Sequence, residues 1–179
     1  MVAEILLQRT RAMSVARIWP DLVSRYPDPQ SLANATATEL EDLLGSLGLL
    51  WRIPLLIQLA KHVAEHGGIP KDKSELMKLP GVGEYVASAY LSLHRNKRHS
   101  IVDSNVVRWI CRLTGNEECG AETRRAKWML NLAESLTPRT TFKDYNYAVL
   151  DLTMNVCKKT PSCTHCPVSG FCASSLADS

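Results

Sequence analysis

Four cysteines stand close together near the C-terminus, in "CKKTPSCTHCPVSGFC": Cys157, Cys163, Cys166 and Cys172. The spacing C-x5-C-x2-C-x5-C puts four soft ligands on one short loop, which is the arrangement of a metal site. A disulfide set is the weaker reading, because nothing marks the chain for secretion. Zinc takes a tetrahedral Cys₄ set, often built from two C-x2-C pairs, and only one such pair is present. The wider outer gaps suit wrapping a larger object, so the spacing favours an iron–sulfur cluster, with zinc as the alternative. Lys158 and Lys159, beside the first ligand, would offset cluster charge or meet a phosphate. Cys111 and Cys119 are scattered, and Cys111, inside a helical pattern, reads as a small buried hydrophobe.

A second stretch, "LPGVGEYVASAYL" (79–91), carries Gly81 and Gly83 between a proline and a helical run. Glycines there permit backbone conformations closed to other residues, and amides at such a turn form a cradle for an anion. A tight connection between two helices is the bland alternative. Twenty residues beyond Gly83, "VDSNVVR" places Asp103 at the mouth of a helix, where the helix N-terminus favours negative charge. A plain N-cap is its bland alternative.

The elements that would position these residues are helices. Residues 2–18 carry Ile5, Leu6, Val15 and Ile18 at helical spacing and end before Pro20. A short helix follows, and then a second one capped by Thr36 or Thr38 and stopped near Gly45 or Gly48. Further helices are expected over 51–66, within "DKSELMKL", over 84–94, from Asp103 to Gly115, over 122–136 and over 143–156. No repeat and no low-complexity linker appears. The fold class is all-α. The polar stretch "GNEECG" marks a junction, giving a domain 1–115 with the glycine turn and a domain 116–179 with the cysteine loop.

Composition sets the outer bounds. The chain has 179 residues, 45% apolar and 22% charged, enough for a core in one domain or two small ones. No apolar run reaches the length of a membrane span, and the N-terminus lacks the pattern of a signal peptide. A net charge of +3 permits nucleic-acid binding without requiring it, and the small basic clusters at 94–99, 124–127 and 158–159 are equally open to solvated surface.

Taken in order, these motifs resemble the helix-hairpin-helix DNA glycosylase superfamily, the endonuclease III and MutY group, along almost the whole chain. "EILLQRT" (4–10) is similar to the first barrel helix, "LGLLWR" (47–52) to the loop that wedges into DNA, and "LPGVG" (79–83) to the hairpin. "VDSNVVR" (102–108) matches the segment with the catalytic aspartate, and "YNYAVLDL" (145–152) the lead into the cluster. The resemblance implies two helical domains, a [4Fe–4S] cluster on the four cysteines, and a monomer acting on double-stranded DNA with a mismatched or damaged base. It also implies a DNA-containing compartment, cytoplasmic or nuclear.

Three departures stand out. The first cysteine gap has five residues where the family usually has six; the chain begins almost at the first barrel helix; and Glu84 stands where relatives often carry Arg or Lys.

By the same resemblance, Asp103 is the catalytic carboxylate, Tyr85 lines the pocket, and Glu4 bonds the base or activates water. Gly81, Val82 and Gly83 grip a phosphate, Leu49 fills the gap in the base stack, and Gln8 reaches the orphaned guanine. Arg108 binds phosphate or else structures its helix. Bifunctional members carry a lysine at position 85, whose amine attacks the sugar. MutY-type adenine glycosylases carry serine there and add a further C-terminal domain, whereas this sequence stops seven residues after Cys172. Tyrosine resembles the thymine-DNA mismatch glycosylases, which excise thymine or uracil opposite guanine. An adenine or other modified-base glycosylase of the same fold, and a non-catalytic DNA-binding module, are the alternatives.

Overall fold

The computed structural model describes residues 1–48, 50–116, 119–120 and 122–177, and every regular element among them is helical. The chain divides into two compact units, Met1–Tyr90 and Leu91–Ser179.

The first unit holds α1 (Val2–Leu7), α2 (Ala12–Arg25), α3 (Pro29–Ala33), α4 (Ala37–Leu44), α5 (Ile53–Glu65), α6 (Lys73–Leu76) and α7 (Glu84–Ala89). α3 packs on α5, α4 on α2 and α5, and α1 on α2 and α7. Their apolar faces bury Ile5, Leu6, Leu40, Leu44, Leu56, Leu76 and Val86. Local chemistry sets the helix starts: Asp28 and Ser31 form one capping box and Thr36 and Glu39 another. Of the two threonines expected to cap α4, Thr36 does so.

One expectation fails here. The single helix expected over 2–18 is two helices: the Ile5 carbonyl accepts from the Gln8 amide at 3.4 Å and from the Arg52 guanidinium, and the regular i to i−4 ladder ends there. Arg9 turns left-handed instead, at φ 59°. α2 then runs through Pro20, and the carbonyl that this proline leaves without a partner belongs to the exposed Ala16.

The second unit holds α8 (Ser104–Thr114), α9 (Lys127–Leu136), α10 (Phe142–Asn155) and α11 (Ala173–Ala177). α8 is its hub, packing against the other three. Val106, Ile110 and Cys111 share one core with Met129, Ala133 and Val149. This shared core is why α8 belongs to the second unit, so the division falls at 90/91 rather than at 115/116. The chain passes from one unit to the next inside a wide helical turn, Tyr90–His94. Cys111 is buried as expected but not as a free thiol: it forms a disulfide with Cys119, their Cα atoms 6.4 Å apart. Cys119 is therefore stapled to α8.

Candidate active site

Three clusters carry the chemistry. The first is the turn between α6 and α7. Gly81 sits at φ +74°, a left-handed conformation that favours glycine. The Val82 amide donates to the Leu79 carbonyl at 3.1 Å and closes the turn, while the Val82 side chain is buried. Val82 therefore holds the turn's shape and spends its own N–H there. Gly83 differs: its backbone is extended, and a Cβ added to it would meet nothing within 4 Å. No contact among the described residues requires a glycine at 83, which leaves a bare backbone surface at the start of α7. Glu84, the residue that would spoil an anion site, is paired with Lys73 from α6. That lysine offsets the negative charge locally.

Tyr85 follows in the first turn of α7, half-buried. In α1, Glu4 is 5% exposed, a buried carboxyl side chain, and Gln8 ends the helix half-buried. Arg52 ties the loop before α5 to α1 through the Ile5 carbonyl, and burial lowers its pKa, with Arg9 adding to the effect. The Trp51 ring lies 4.7 Å from the Arg52 guanidinium carbon. Leu49, the expected wedge, lies outside the described residues, while its neighbours Leu50 and Trp51 are exposed at 49% and 60%.

The second cluster is the start of α8. Asp103 is the N-cap: its Oδ1 accepts from the amides of Asn105 (2.8 Å) and Val106 (2.7 Å), and its Oδ2 accepts from Asn105 Nδ2 (2.9 Å). A carboxylate oxygen has two acceptor sites. Oδ1 is thus filled and Oδ2 keeps one position open, on a carboxylate fixed by three donors and only half-buried. The cap and the functional carboxylate are compatible in one side chain.

The third cluster is the cysteine loop, and α8 organises it. Arg108 donates to the Cys157 carbonyl from Nε (3.1 Å) and Nη2 (2.7 Å), to the Thr153 carbonyl (2.9 Å), and to Asn105 Oδ1 (2.9 Å). The two carbonyls belong to the end of α10 and the residue that opens the loop, groups that a helix leaves without partners. Of the two uses foreseen for Arg108, a phosphate contact or a structural brace, these bonds describe the second: each guanidinium nitrogen makes a bond inside the unit. The same bonds form a chain, Asp103–Asn105–Arg108–Cys157, that sets the carboxylate's orientation from the cysteine loop.

All four cysteines are free thiols and all four line a single cavity of about 260 Å³. Among the described residues, no three His, Cys, Asp or Glu side chains converge as one metal ion would need. Four sulfurs around a cavity larger than an ion fit a polynuclear group better than zinc, whose ligands must approach one point to about 2.3 Å. Trp109 also lines the cavity, and its buried indole Nε1 has no acceptor among the described residues.

Sequence reading missed Asn105 and Arg112, and the signal for them was available: 105, 108 and 112 fall on one face of α8, opposite the apolar 106, 107 and 110. By sequence the basic cluster at 94–99 is open between nucleic-acid contact and solvated surface. Arg98 instead caps α9, bonding the carbonyls of Glu134 and Thr137 at 2.6 Å each.

The profile of the HhH-GPD superfamily base excision DNA repair protein matches residues 2–134. The thymine-DNA glycosylase of Aeropyrum pernix is 35% identical over 96% of this chain and 80% of its own length. The thymine/uracil-DNA glycosylase of Pyrobaculum aerophilum is 36% identical over 94% of this chain and 76% of its own. A solved thermostable thymine-DNA glycosylase superposes with a TM-score of 0.90 at 30% identity, covering 98% of this chain and 82% of that one. A profile match over most of the length, joined by relatives at this identity across most of both chains, means that this chain belongs to the HhH-GPD superfamily of base excision DNA repair proteins.

Proposed function

We propose that the chain is a monofunctional DNA glycosylase that removes thymine or uracil mispaired with guanine. The observation that carries the reading is Asp103: a carboxylate fixed by three donors at the start of α8, with one acceptor position open. The named activities of the relatives support the choice of base.

A base inside a duplex is out of reach, so it must be flipped out at a cost of a few kcal/mol, least for a mismatch. The bare backbone at Gly81 and Gly83 grips a phosphate beside the lesion, with Val82 keeping the turn in shape. Leu49 fills the gap left in the stack, as apolar wedges do in bent DNA. Tyr85 stacks on the extruded base, Glu4 bonds it or activates water, and Gln8 reaches the guanine left behind. As the glycosidic bond breaks, positive charge develops on the sugar. Asp103 meets that charge and takes a proton from the attacking water on its open Oδ2 position. Residue 85 has no amine, so no Schiff base forms there and the product is an intact abasic site.

Cys157, Cys163, Cys166 and Cys172 would hold a [4Fe–4S] cluster, in keeping with the cavity they share. When bound, that group supplies a covalent cross-link for the loop and one-electron redox chemistry. Arg108 and Asn105 pass the resulting rigidity to Asp103.

A panel of duplexes, each with one defined mispair, tests the reading when treated with alkali after incubation. Excision from G·T and G·U is expected, with little from the same bases opposite adenine, no strand break before alkali, and no borohydride-trapped adduct. Activity on adenine mispairs but not G·T would remove the pyrimidine assignment, and strong trapping would remove the monofunctional one.

A further inference from the structure

We infer that Arg112 is a positioning residue for the iron–sulfur group: its guanidinium, bonded to the Cys157 sulfur, raises the group's reduction potential and slows its loss. This rests on the cluster reading above. Arg112 lies in the last turn of α8, one helical turn beyond Arg108. Its Nη1 lies 3.5 Å from Cys157 Sγ and 2.6 Å from the Lys158 carbonyl, and its Nη2 lies 2.8 Å from the Lys159 carbonyl. The planar fork thus threads the segment that leaves the first ligand. At the other end of the loop, Cys172 Sγ lies 3.4 Å from the Arg112 carbonyl and Ser174 Oγ 3.1 Å from it. One residue therefore touches both the first and the last cysteine of the set. Among the described residues that line the cavity, it is also the only one with a charged side chain.

Two consequences follow from charge and geometry. An N–H donor on a ligand sulfur draws electron density from it, and a fixed positive charge favours the more negative, reduced state. Hydrogen bonds to sulfur and local charge are among the terms that set an iron–sulfur potential, so both raise it. The fork also fixes the backbone on either side of Cys157, which keeps the ligand from swinging out. Lysine would keep the charge, but its three donors radiate from one nitrogen and cannot span the separated acceptors as the planar fork does.

The test uses the full-length holoprotein and reads iron content, potential by voltammetry, and the rate of iron release to a chelator. Arg112→Gln should give a more negative potential and release iron about tenfold faster or more, the range found when an outer partner of a metal ligand is removed. Arg112→Lys should hold a potential close to the unmodified protein while releasing iron faster, because charge is kept and the fork is lost. Arg125→Gln serves as control: Arg125 is exposed, pairs among the described residues with Glu122 in the same turn, and should change neither quantity. If the unmodified protein binds no iron and sulfide, the cluster reading fails and this inference falls with it. If it binds both, and Arg112→Gln matches it in potential and release, the inference alone is overturned. Should Arg112→Gln not fold, Arg112→Lys decides: iron release at the unmodified rate overturns the inference.

Discussion

The hairpin turn and the cysteine loop sit in different units and are built in opposite ways. The turn is held by its own backbone: a left-handed Gly81, one amide bond from Val82 to Leu79, and a short helix on either side. It is complete before any ligand arrives. The cysteine loop has only short turns of its own, at Cys163–His165 and Ser169–Phe171, and is held from outside by two arginines on α8. Its four cysteines line one cavity. On the function proposed above, the surface offered to a duplex is made by local backbone geometry. The loop that would hold a cluster borrows its frame from a neighbouring helix.

The largest effect expected from breaking this arrangement is at Asp103, where α8 starts. Asp103→Asn keeps an oxygen for the amides of Asn105 and Val106 but turns a donor toward Asn105 Nδ2, so the link to the loop is lost along with the charge. Single-turnover excision should fall by about 10²–10³, measured at a temperature where the variant stays folded. A near-normal rate would reduce Asp103 to a helix cap.

Next in size is the staple at the far end of α8. Cys119→Ser opens a disulfide of sequence separation 8, and loop-closure entropy puts the loss near 2.5 kcal/mol. Urea unfolding should register that loss. An unchanged midpoint would mean that α8 needs no staple to frame the loop.

The hairpin supplies a paired test. Gly81→Ala forces a side chain into a left-handed backbone and should cost about 1–2 kcal/mol of stability. Gly83→Ala sits in extended backbone with space around it and should cost under about 1 kcal/mol. Its loss should appear in affinity for mismatched duplex, measured by fluorescence anisotropy. If Gly83→Ala binds DNA as well as the unmodified protein, the bare backbone is not the phosphate grip.

The smallest effect concerns acid. Hydrogen bonds from the Thr36 amide and hydroxyl hold the Glu39 carboxyl below its ordinary value of 4.5. A depressed carboxylate contributes stability above its unfolded pKa and loses it as pH falls through the folded one. Glu39→Gln should therefore lower stability slightly at neutral pH and flatten its fall below about pH 4.5. Thermal unfolding of both proteins between pH 7 and pH 3 (~ values spanning the carboxylate range) checks this.

Much of this was legible beforehand because the signals are local. The capping box at Thr36 needs only Glu39 three residues on, and Gly115 stops α8 because a left-handed residue ends a helix. The order of hairpin, aspartate and cysteines was readable for the same reason. What escaped reading were contacts between residues far apart in the chain. Arg52 meets the end of the first helix from 47 residues away, and Arg108 reaches Cys157 across 49. Cys111 looked like a lone core residue because nothing local says where Cys119 will be.

By itself the sequence determined most of the helices with their caps and stops, the glycine turn, and the order of one carboxylate and four thiols along the chain. Those follow from backbone sterics and hydrogen bonds that span three or four residues. The tertiary structure alone decided that α8 joins the second unit, that Arg108 braces a loop instead of facing outward, and that Lys73 meets Glu84. Those outcomes depend on which buried carbonyls and charges end up near one another. Burial makes pairing them obligatory, but only the packed chain fixes the partner.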